Sequence, residues 1–330
     1  MTSLSEPAVI FLVSAGMCLL VGRLAIRALA NAQFVAPVRY QDCPPLQTYQ
    51  EAKSRTPTMG GVFVLVIAIL IAVASGGLDH REGWLVLGAV TGLAVVGLYD
   101  DCLKFRAPNA LGIRTMPKLL AALAIGAGLG LASVTGSNRS ALEMPWLHRT
   151  IELGWMWVPF SALVVAGCAH AVNLTDGMDG LAAGCVAIAL GVLGVLAWES
   201  GDPRSRALVP WCASLAGGCI GFLWFNTFPA SVFLGDVGAL GLGAALGVIS
   251  LLSRTALLLP VIGGVFVVEA LSVMLQVASY KWRGKQRIFR VAPIHHHFHL
   301  GGTSEPKLIV RFWIVGVILA MVGLTTLVMP

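Results

Sequence analysis

The sequence is short of charge. Of its 330 residues only 12% are Asp, Glu, Lys or Arg, against roughly 25% in an ordinary soluble domain. Sixteen acids and 22 bases cannot solvate the surface of a globule this long, which excludes a single water-soluble domain. CxxC pairs are missing as well. The seven cysteines, at 18, 43, 102, 168, 185, 212 and 219, stand apart and mostly inside apolar runs. That argues against a disulfide framework or a structural zinc site and leaves the thiols as small packing residues. There is no low-complexity tract and no clear internal repeat, so the chain reads as one domain over 1–330. No Lys or Arg precedes the first apolar run, while Arg23 and Arg27 follow it. This charge order reads as a membrane anchor rather than a cleavable signal.

What the chain has is apolar length. It is 57% hydrophobic and carries 38 glycines, a composition suited to close helix packing in lipid. A spanning helix needs about 20 mostly apolar residues. Runs of that kind cover 7–28, 60–77, 83–99, 117–135, 157–173, 180–198, 208–225, 237–253, 256–280 and 308–329. The expected fold is therefore all-α, a polytopic membrane protein with about ten transmembrane helices. The run at 157–173 is short, and that at 256–280 contains Glu269 and Gln276. Ten spans put both termini on one side. With the termini on the outer, periplasmic side, 16 of the 22 Lys and Arg fall inside, Arg39 among them, and 6 outside, Arg139 among them. Basic residues favour the cytoplasmic side, so this orientation is expected. The same excess accounts for the net charge of +6 without nucleic acid, and suits anionic lipids and anionic substrates. The outer segment 136–156, with Trp146 and Trp155 and adjoining Trp157, is expected to form an interfacial hairpin with an aromatic belt.

On this topology five Asp fall in inner segments at helix ends. Asp100 and Asp101, with Lys104, close the run 84–98. Asp176 and Asp179 lie in Asn173-Leu-Thr-Asp-Gly-Met-Asp-Gly180, and Asp236 ends Asn226 to Asp236. The run His295-His296-His297 is also inside, and its position between Pro293 and Phe298 excludes an appended tag. Ionised carboxylates in hydrocarbon are expensive, and clustered ones repel strongly in a low dielectric, so four such motifs on one face point to a shared active site. Carboxylate oxygens suit Mg²⁺, which commonly joins substrate phosphates. Lys53, Lys104 and Lys118 suit phosphate groups. Three adjacent histidines cannot easily all face one metal and no fitting thiolate is near, so they are expected to contact phosphate or to order their loop. The glycines of Asp176-Gly-Met-Asp-Gly180 either allow close approach to a ligand or cap helices. Phe233 is the best aromatic for stacking on a base.

Five segments carry a resemblance. Pro57-Thr-Met-Gly-Gly61, Asp100-Asp-Cys-Leu-Lys104, Asn173 to Gly180, Asn226 to Asp236 and Pro293-Ile-His-His-His-Phe298 stand in the order found in the polyprenyl-phosphate N-acetylhexosamine-1-phosphate transferases, and Glu305-Pro-Lys-Leu-Ile-Val-Arg-Phe-Trp313 follows. The chain resembles that family over nearly its whole length, and the His-His-His-Phe motif resembles its muramoyl-pentapeptide branch. The resemblance implies transfer of phospho-N-acetylmuramoyl-pentapeptide from a UDP donor to undecaprenyl phosphate, giving lipid I and UMP, with Mg²⁺. It places the protein in the bacterial cytoplasmic (inner) membrane, with the site on the cytoplasmic face, and implies a homodimer. Asp236 becomes the metal ligand and Asp100 the base for the lipid phosphate, with Asp101 beside it. Lys53, Lys104, Lys118, His295 and His296 hold phosphates or shape the site. Asn173, Asp176, Gly177, Met178, Asp179, Phe233 and Gln276 form the nucleoside pocket, and Thr58, Asn226 and His297 complete the substrate-binding set. Direct attack and a covalent aspartyl-phosphate both fit these residues. Three positions depart from the pattern: His299 stands where Glu is common, Val237 for Thr and Ala239 for Ser. Two rival readings are an N-acetylglucosamine-1-phosphate transferase on the same lipid, and an ion-coupled transporter. Against the transporter, the acids cluster at one face rather than near mid-bilayer.

Overall fold

The computed structural model describes residues 5–34, 47, 49, 51, 53–106, 112–136, 140–147 and 149–327. Arg39, Cys43 and Arg139 lie outside the described residues, as does much of the inner segment 29–59.

The apolar runs form helices because their backbone groups have no other partner in lipid. They are α1 (Ser5–Asn31), α2 (Gly61–Ala74), α3 (Arg81–Arg106), α4 (Thr115–Gly136), α5 (Trp157–Thr175), α6 (Leu181–Glu199), α7 (Pro203–Arg206), α8 (Val209–Asn226), α9 (Gly235–Leu252), α10 (Leu259–Ile262), α11 (Gly264–Trp282), α12 (Ile294–His299) and α13 (Glu305–Leu324). Among the described residues nine helices are long and apolar enough to cross a membrane, and α2 is a tenth, shorter apolar helix. Its 14 residues span about 21 Å at 1.5 Å per residue. The run starting at 60 loses only Gly60 at its head, where the chain pairs with a distant segment: Phe233 N donates to Pro57 O, and Gly60 N and Gly61 N donate to Phe233 O and Leu234 O, each at 2.8 Å. It ends where Ser75-Gly76-Gly77 turns, Gly76 at φ +79°.

The fold is organised around α9. Every residue from Asp236 to Leu252 is buried, as expected of a helix that is apolar all round. It packs against α2, α3 and α5. Its glycines allow close approach: a Cβ at Gly238 would collide with Leu234 and meet the Cα of Gly61 at 2.8 Å, and one at Gly247 would meet the Cα of Val165 at 3.0 Å. Cys18, Cys185, Cys212 and Cys219 belong to the same apolar core, the packing role expected of them.

Two details differ from the sequence expectation. The run at 256–280 begins as the one-turn helix α10, held apart from α11 by Gly263. The segment 136–156 does form a hairpin, β1 (Ala141–Met144) against β2 (Arg149–Glu152), antiparallel with Ala141 opposite Glu152. Of its three tryptophans, Trp146 and Trp155 are exposed but Trp157 is fully buried. Trp157 opens α5 and turns inward beside Phe160, ring centroids 5.5 Å apart, so it belongs to the core.

Candidate active site

The acid motifs, the histidines and Lys53 converge on a cavity of about 250 Å³. Its floor is built by α3 and α9. Asp100, Asp101 and Lys104 share one helical turn, so the i,i+3 and i,i+4 spacings bring the ammonium back over both carboxylates. Lys104 Nζ lies 2.6 Å from Asp100 Oδ2 and 3.0 Å from Asp101 Oδ1. It also reaches Asp236 Oδ1 at 3.0 Å. Asp236 stands in the first turn of α9, where the helix dipole favours an anion. Lys118 Nζ, from α4, sits 2.9 Å from Asp236 Oδ2 and 3.2 Å from Asp100 Oδ2. All three acids are buried.

The sequence places the Asp100-Asp101 pair at the start of an inner loop. The helix instead runs on to Arg106, so the pair lies within α3 and in the protein interior. Two glycines make this possible. Gly112, at φ +74°, carries the chain over Asp100, where an added Cβ would lie 2.5 Å from its Oδ1, and Ile113 N then donates to that oxygen at 2.5 Å. Gly235, at φ +77°, lets the start of α9 approach Asp101, where a Cβ would lie 2.8 Å from Oδ2, and Val237 N donates to that oxygen at 3.1 Å.

Ligand atoms of Asp100, Asp101 and Asp236 all lie within 4.8 Å of one another. Three hard oxygen donors this close could hold a divalent cation. Together with the two lysines they leave a formal charge of −1, so a cation finds an attractive field there even with both ammonium groups in place.

One wall of the cavity is built from distant segments. Lys53 Nζ lies 2.6 Å from Asp179 Oδ1 and 2.7 and 2.9 Å from the two oxygens of Glu305. It also donates to the Tyr49 hydroxyl at 2.7 Å. Glu305, at the start of α13, accepts from Asp179 N at 2.9 Å, and Ala230 N donates to Asp179 Oδ2 at 2.9 Å. Burial pushes the Asp179 carboxyl up, Lys53 works against this, and Glu305 adds to it. Asn226 closes the corner by accepting from Gly180 N at 3.0 Å and donating to Val232 O at 2.8 Å.

The histidines form α12 on the far side. His295 and His296 are buried with ring centroids 4.2 Å apart. Burial first, then the neighbouring His295, His299 and Lys53, push the His296 imidazole down to about 2, so it is neutral at physiological pH.

A family model described as glycosyl transferase family 4 matches residues 83–254, which include Asp100, Asp101 and Asp236. A phospho-N-acetylmuramoyl-pentapeptide-transferase of Geobacter sp. (strain M21) is 45% identical over 292 residues, covering 84% of this chain and 81% of that protein. The chain belongs to glycosyl transferase family 4, among the phospho-N-acetylmuramoyl-pentapeptide-transferases. Proteins of that name are 41% identical in Thermodesulfovibrio yellowstonii, over 83% of this chain and 81% of the relative, and 38% identical in Desulfosudis oleivorans, over 94% and 89%.

Of the residues the sequence singled out, Lys53, Thr58, Asp101, Lys104, Asn173, Asp176, Gly177, Met178, Asp179, Asn226, Phe233, Asp236, His295 and His296 line the cavity. Asp100 and Lys118 stand just behind the lining, bonded to its members. Gln276 and His297 do not line it. Gln276 Oε1 accepts from Ile288 N and Phe289 N at 3.0 and 2.9 Å, and its Nε2 donates to Phe289 O at 3.0 Å. His297 Nδ1 accepts from Arg290 N at 3.1 Å. Both hold the backbone of the loop before the histidine helix. Of the departures from the family pattern, Val237 and Ala239 are buried apolar residues beside Asp236, and His299 packs on Tyr49 with centroids 4.9 Å apart.

Sequence reasoning missed Tyr49, Phe105 and Pro293 in the lining, and the roles of Glu305 and Glu269. Glu305 stood in a quoted motif. A carboxylate between a Ser N-cap and a Pro could have been noticed as a helix start, but its partners could not.

Proposed function

We propose that this protein transfers phospho-N-acetylmuramoyl-pentapeptide from its UDP donor to undecaprenyl phosphate, releasing UMP and forming lipid I, the first membrane step of peptidoglycan synthesis. The observation that carries the reading is the cavity itself. A floor of three carboxylates and two lysines faces a lysine-bearing wall and a histidine helix, in a chain similar to proteins named for this transfer. Two phosphate-bearing substrates repel each other, and bringing them together requires cations on both.

In this reading Mg²⁺ is held by Asp236, with Asp101 and Asp100 beside it, and when bound it neutralises phosphate charge. Lys104 spends its three donors on the three floor acids, and Lys118, paired with two of them, offers its third to a phosphate oxygen. The Asp100-Asp101 pair handles the lipid phosphate, with Asp100 as base and Asp101 presented at the lining. The turn Asn173 to Asp179 and Phe233 receive the nucleoside, and Lys53 the donor phosphates. Pockets for drug-sized ligands run about 300–1,000 Å³, so a cavity of about 250 Å³ holds the nucleotide end while the peptide lies outside. The whole chain acts as one membrane domain, with ten spans counting the short α2 and both termini periplasmic. It works as a homodimer in the bacterial inner membrane with the cavity on the cytoplasmic face. The 16-to-6 division of Lys and Arg supports that orientation.

Purified protein should release UMP from UDP-N-acetylmuramoyl-pentapeptide only when undecaprenyl phosphate and Mg²⁺ are both present, and UDP-N-acetylglucosamine should not replace the donor. Absence of UMP with both substrates supplied overturns the reading. Asp100→Asn should abolish turnover while UMP still binds, whereas lost UMP affinity in that variant removes Asp100 from the role of base.

A further inference from the structure

Glu269 has no part in the site as described so far. It lies on α11, inside a segment apolar enough to span a membrane, and its side chain is wholly buried. An ionisable group in such a place costs several kcal/mol unless it is paired, and marks function by default. Its own helix supplies no partner. Ser272 Oγ donates to the Glu269 backbone carbonyl, not to the carboxylate, and Gln276 is committed to the 288–289 backbone. The group that meets the carboxylate comes from α12: His295 Nδ1 lies 3.0 Å from Glu269 Oε2, with both side chains at 0% exposure. Among the described residues no group hydrogen-bonds either carboxylate oxygen, and His295 Nδ1 is likewise without a hydrogen-bond partner, so this close approach is the one polar contact either group has on that side.

This pairing decides which nitrogen of His295 is turned toward the ligand. At 3.0 Å the carboxylate flanks Nδ1 without an aligned hydrogen bond; a small ring rotation makes Nδ1–H its donor, which fixes one tautomer and one ring orientation. The other nitrogen, Nε2, is buried and has no hydrogen-bond partner among the described residues. It faces Gly177, where an added Cβ would collide with it. Gly177 and His295 both line the cavity. A buried, unpartnered nitrogen at the wall of a cavity is a group waiting for a ligand atom.

We propose that Glu269 is a positioning residue: it holds His295 so that Nε2 is presented beside Gly177 to the nucleotide-sugar donor. The proposal rests on the donor-site reading given above. Glu269 itself touches no substrate and acts only through His295.

The test is a double-mutant cycle on the full-length protein in detergent, reading affinity for UDP-N-acetylmuramoyl-pentapeptide by calorimetry and thermal unfolding in parallel. Glu269→Gln preserves shape but can donate its amide N–H to Nδ1, which moves the ring proton to Nε2. Donor affinity should fall about 10- to 100-fold, the range for loss of a group that orients a ligand through a histidine, with little change in unfolding temperature. In a His295→Ala background the same substitution should cost nothing more. Glu269→Asp, which keeps the carboxylate, should recover part of the loss. Unchanged affinity in E269Q overturns the proposal, and so does a loss that adds in full to that of H295A. Should E269Q fail to fold, the cycle run with E269D reads the same coupling. A wild-type protein that binds no donor indicts the donor-site reading instead, since that result does not involve Glu269.

Discussion

The floor and the wall of the cavity both carry one negative charge in excess, but they are built in opposite ways. The floor acids come from two packed helices, and its lysines from α3 itself and from neighbouring α4. Lys104 is three and four residues from its first two partners. The wall joins Lys53 to Asp179 and Glu305, 126 and 252 residues away in the chain. The floor is rigid because its backbone is helical and its three acids are buried. The wall is held by its ion pairs and by backbone donors from turns. A reaction centre that must keep charges at fixed spacing belongs on the first kind of support, and a site that must admit and release a nucleotide belongs on the second. This division leads us to expect that changes to the floor act on turnover and changes to the wall act on binding and stability together.

The sharpest way to break that division is Asp236→Asn. It removes one of the two acids that both floor lysines contact, the one that heads α9. Turnover should fall about a thousandfold or more, roughly 4 kcal/mol of transition-state stabilisation, with donor affinity little changed. UMP release and donor binding measured on one preparation decide it. A variant that loses binding and turnover in proportion denies that the floor is the reaction centre.

On the wall, Lys53→Met leaves the Asp179 and Glu305 carboxylates facing each other. Removing one partner of a buried pair costs about 3–5 kcal/mol. The Lys53 side chain is 18% exposed, so water screens part of this and the expected loss is nearer 2 kcal/mol. The unfolding temperature should drop and KM for the donor should rise at least tenfold by loss of a phosphate contact worth about 1.4 kcal/mol or more. Adding Glu305→Gln should restore much of the stability without restoring KM. If the double variant recovers both, the wall serves structure alone.

How much of this was legible differs between the two regions for the same reason. Asp100, Asp101 and Lys104 announce themselves because helical spacing makes sequence neighbours into spatial ones. Asp236 was found because an acid at the head of an apolar run is conspicuous. Lys53 could be suspected as a phosphate binder, but nothing local reveals that it meets Glu305, and Glu269 read only as a blemish in a weak span. The ten apolar runs were readable from length. The shortness of α2 was not, because its last residues, Ser75-Gly76-Gly77, turn out of the helix to where Trp211 Nε1 donates to Gly77 O at 2.9 Å, a tertiary fact. The same limit explains Asp100, which composition placed at a loop start. The close approaches at Gly112 and Gly235 bring backbone donors to the charged pair inside the protein.

The histidine side offers a smaller effect, read through pH. The His296 imidazole is pushed down to about 2 in the folded protein, whereas an unfolded histidine titrates near 6.5. Above pH 6.5 both states are neutral there and no difference arises. Below it the unfolded chain takes up a proton that the folded site refuses, so stability is lost as pH falls, by about 1.4 kcal/mol per pH unit. Asp179, pushed up in the folded state, has the opposite sign in its own range. Comparing wild type with His296→Gln cancels that contribution. Between pH 6.5 and 5.5 the variant should show a flatter stability curve, and parallel curves refute a buried neutral His296.

The smallest expected effect separates a residue that lines the site from one that shapes it. Gln276 was assigned to the nucleoside pocket, yet its amide is bonded entirely to the backbone of Ile288 and Phe289. Those bonds, with Ser279 Oγ donating to Gln286 O at 2.9 Å, fold the loop after α11 back onto the helix that bears Glu269. Gln276→Ala leaves two backbone donors and one acceptor to water. The loop is exposed, so the loss is about 1 kcal/mol in local stability rather than the larger cost of orphaned buried groups. Proteolysis between Lys281 and Arg290 should quicken severalfold, while KM for the donor changes less than with Lys53→Met. A rise in KM matching that of Lys53→Met, with proteolysis unchanged, returns Gln276 to the nucleoside pocket and places the boundary of the wall beyond α11.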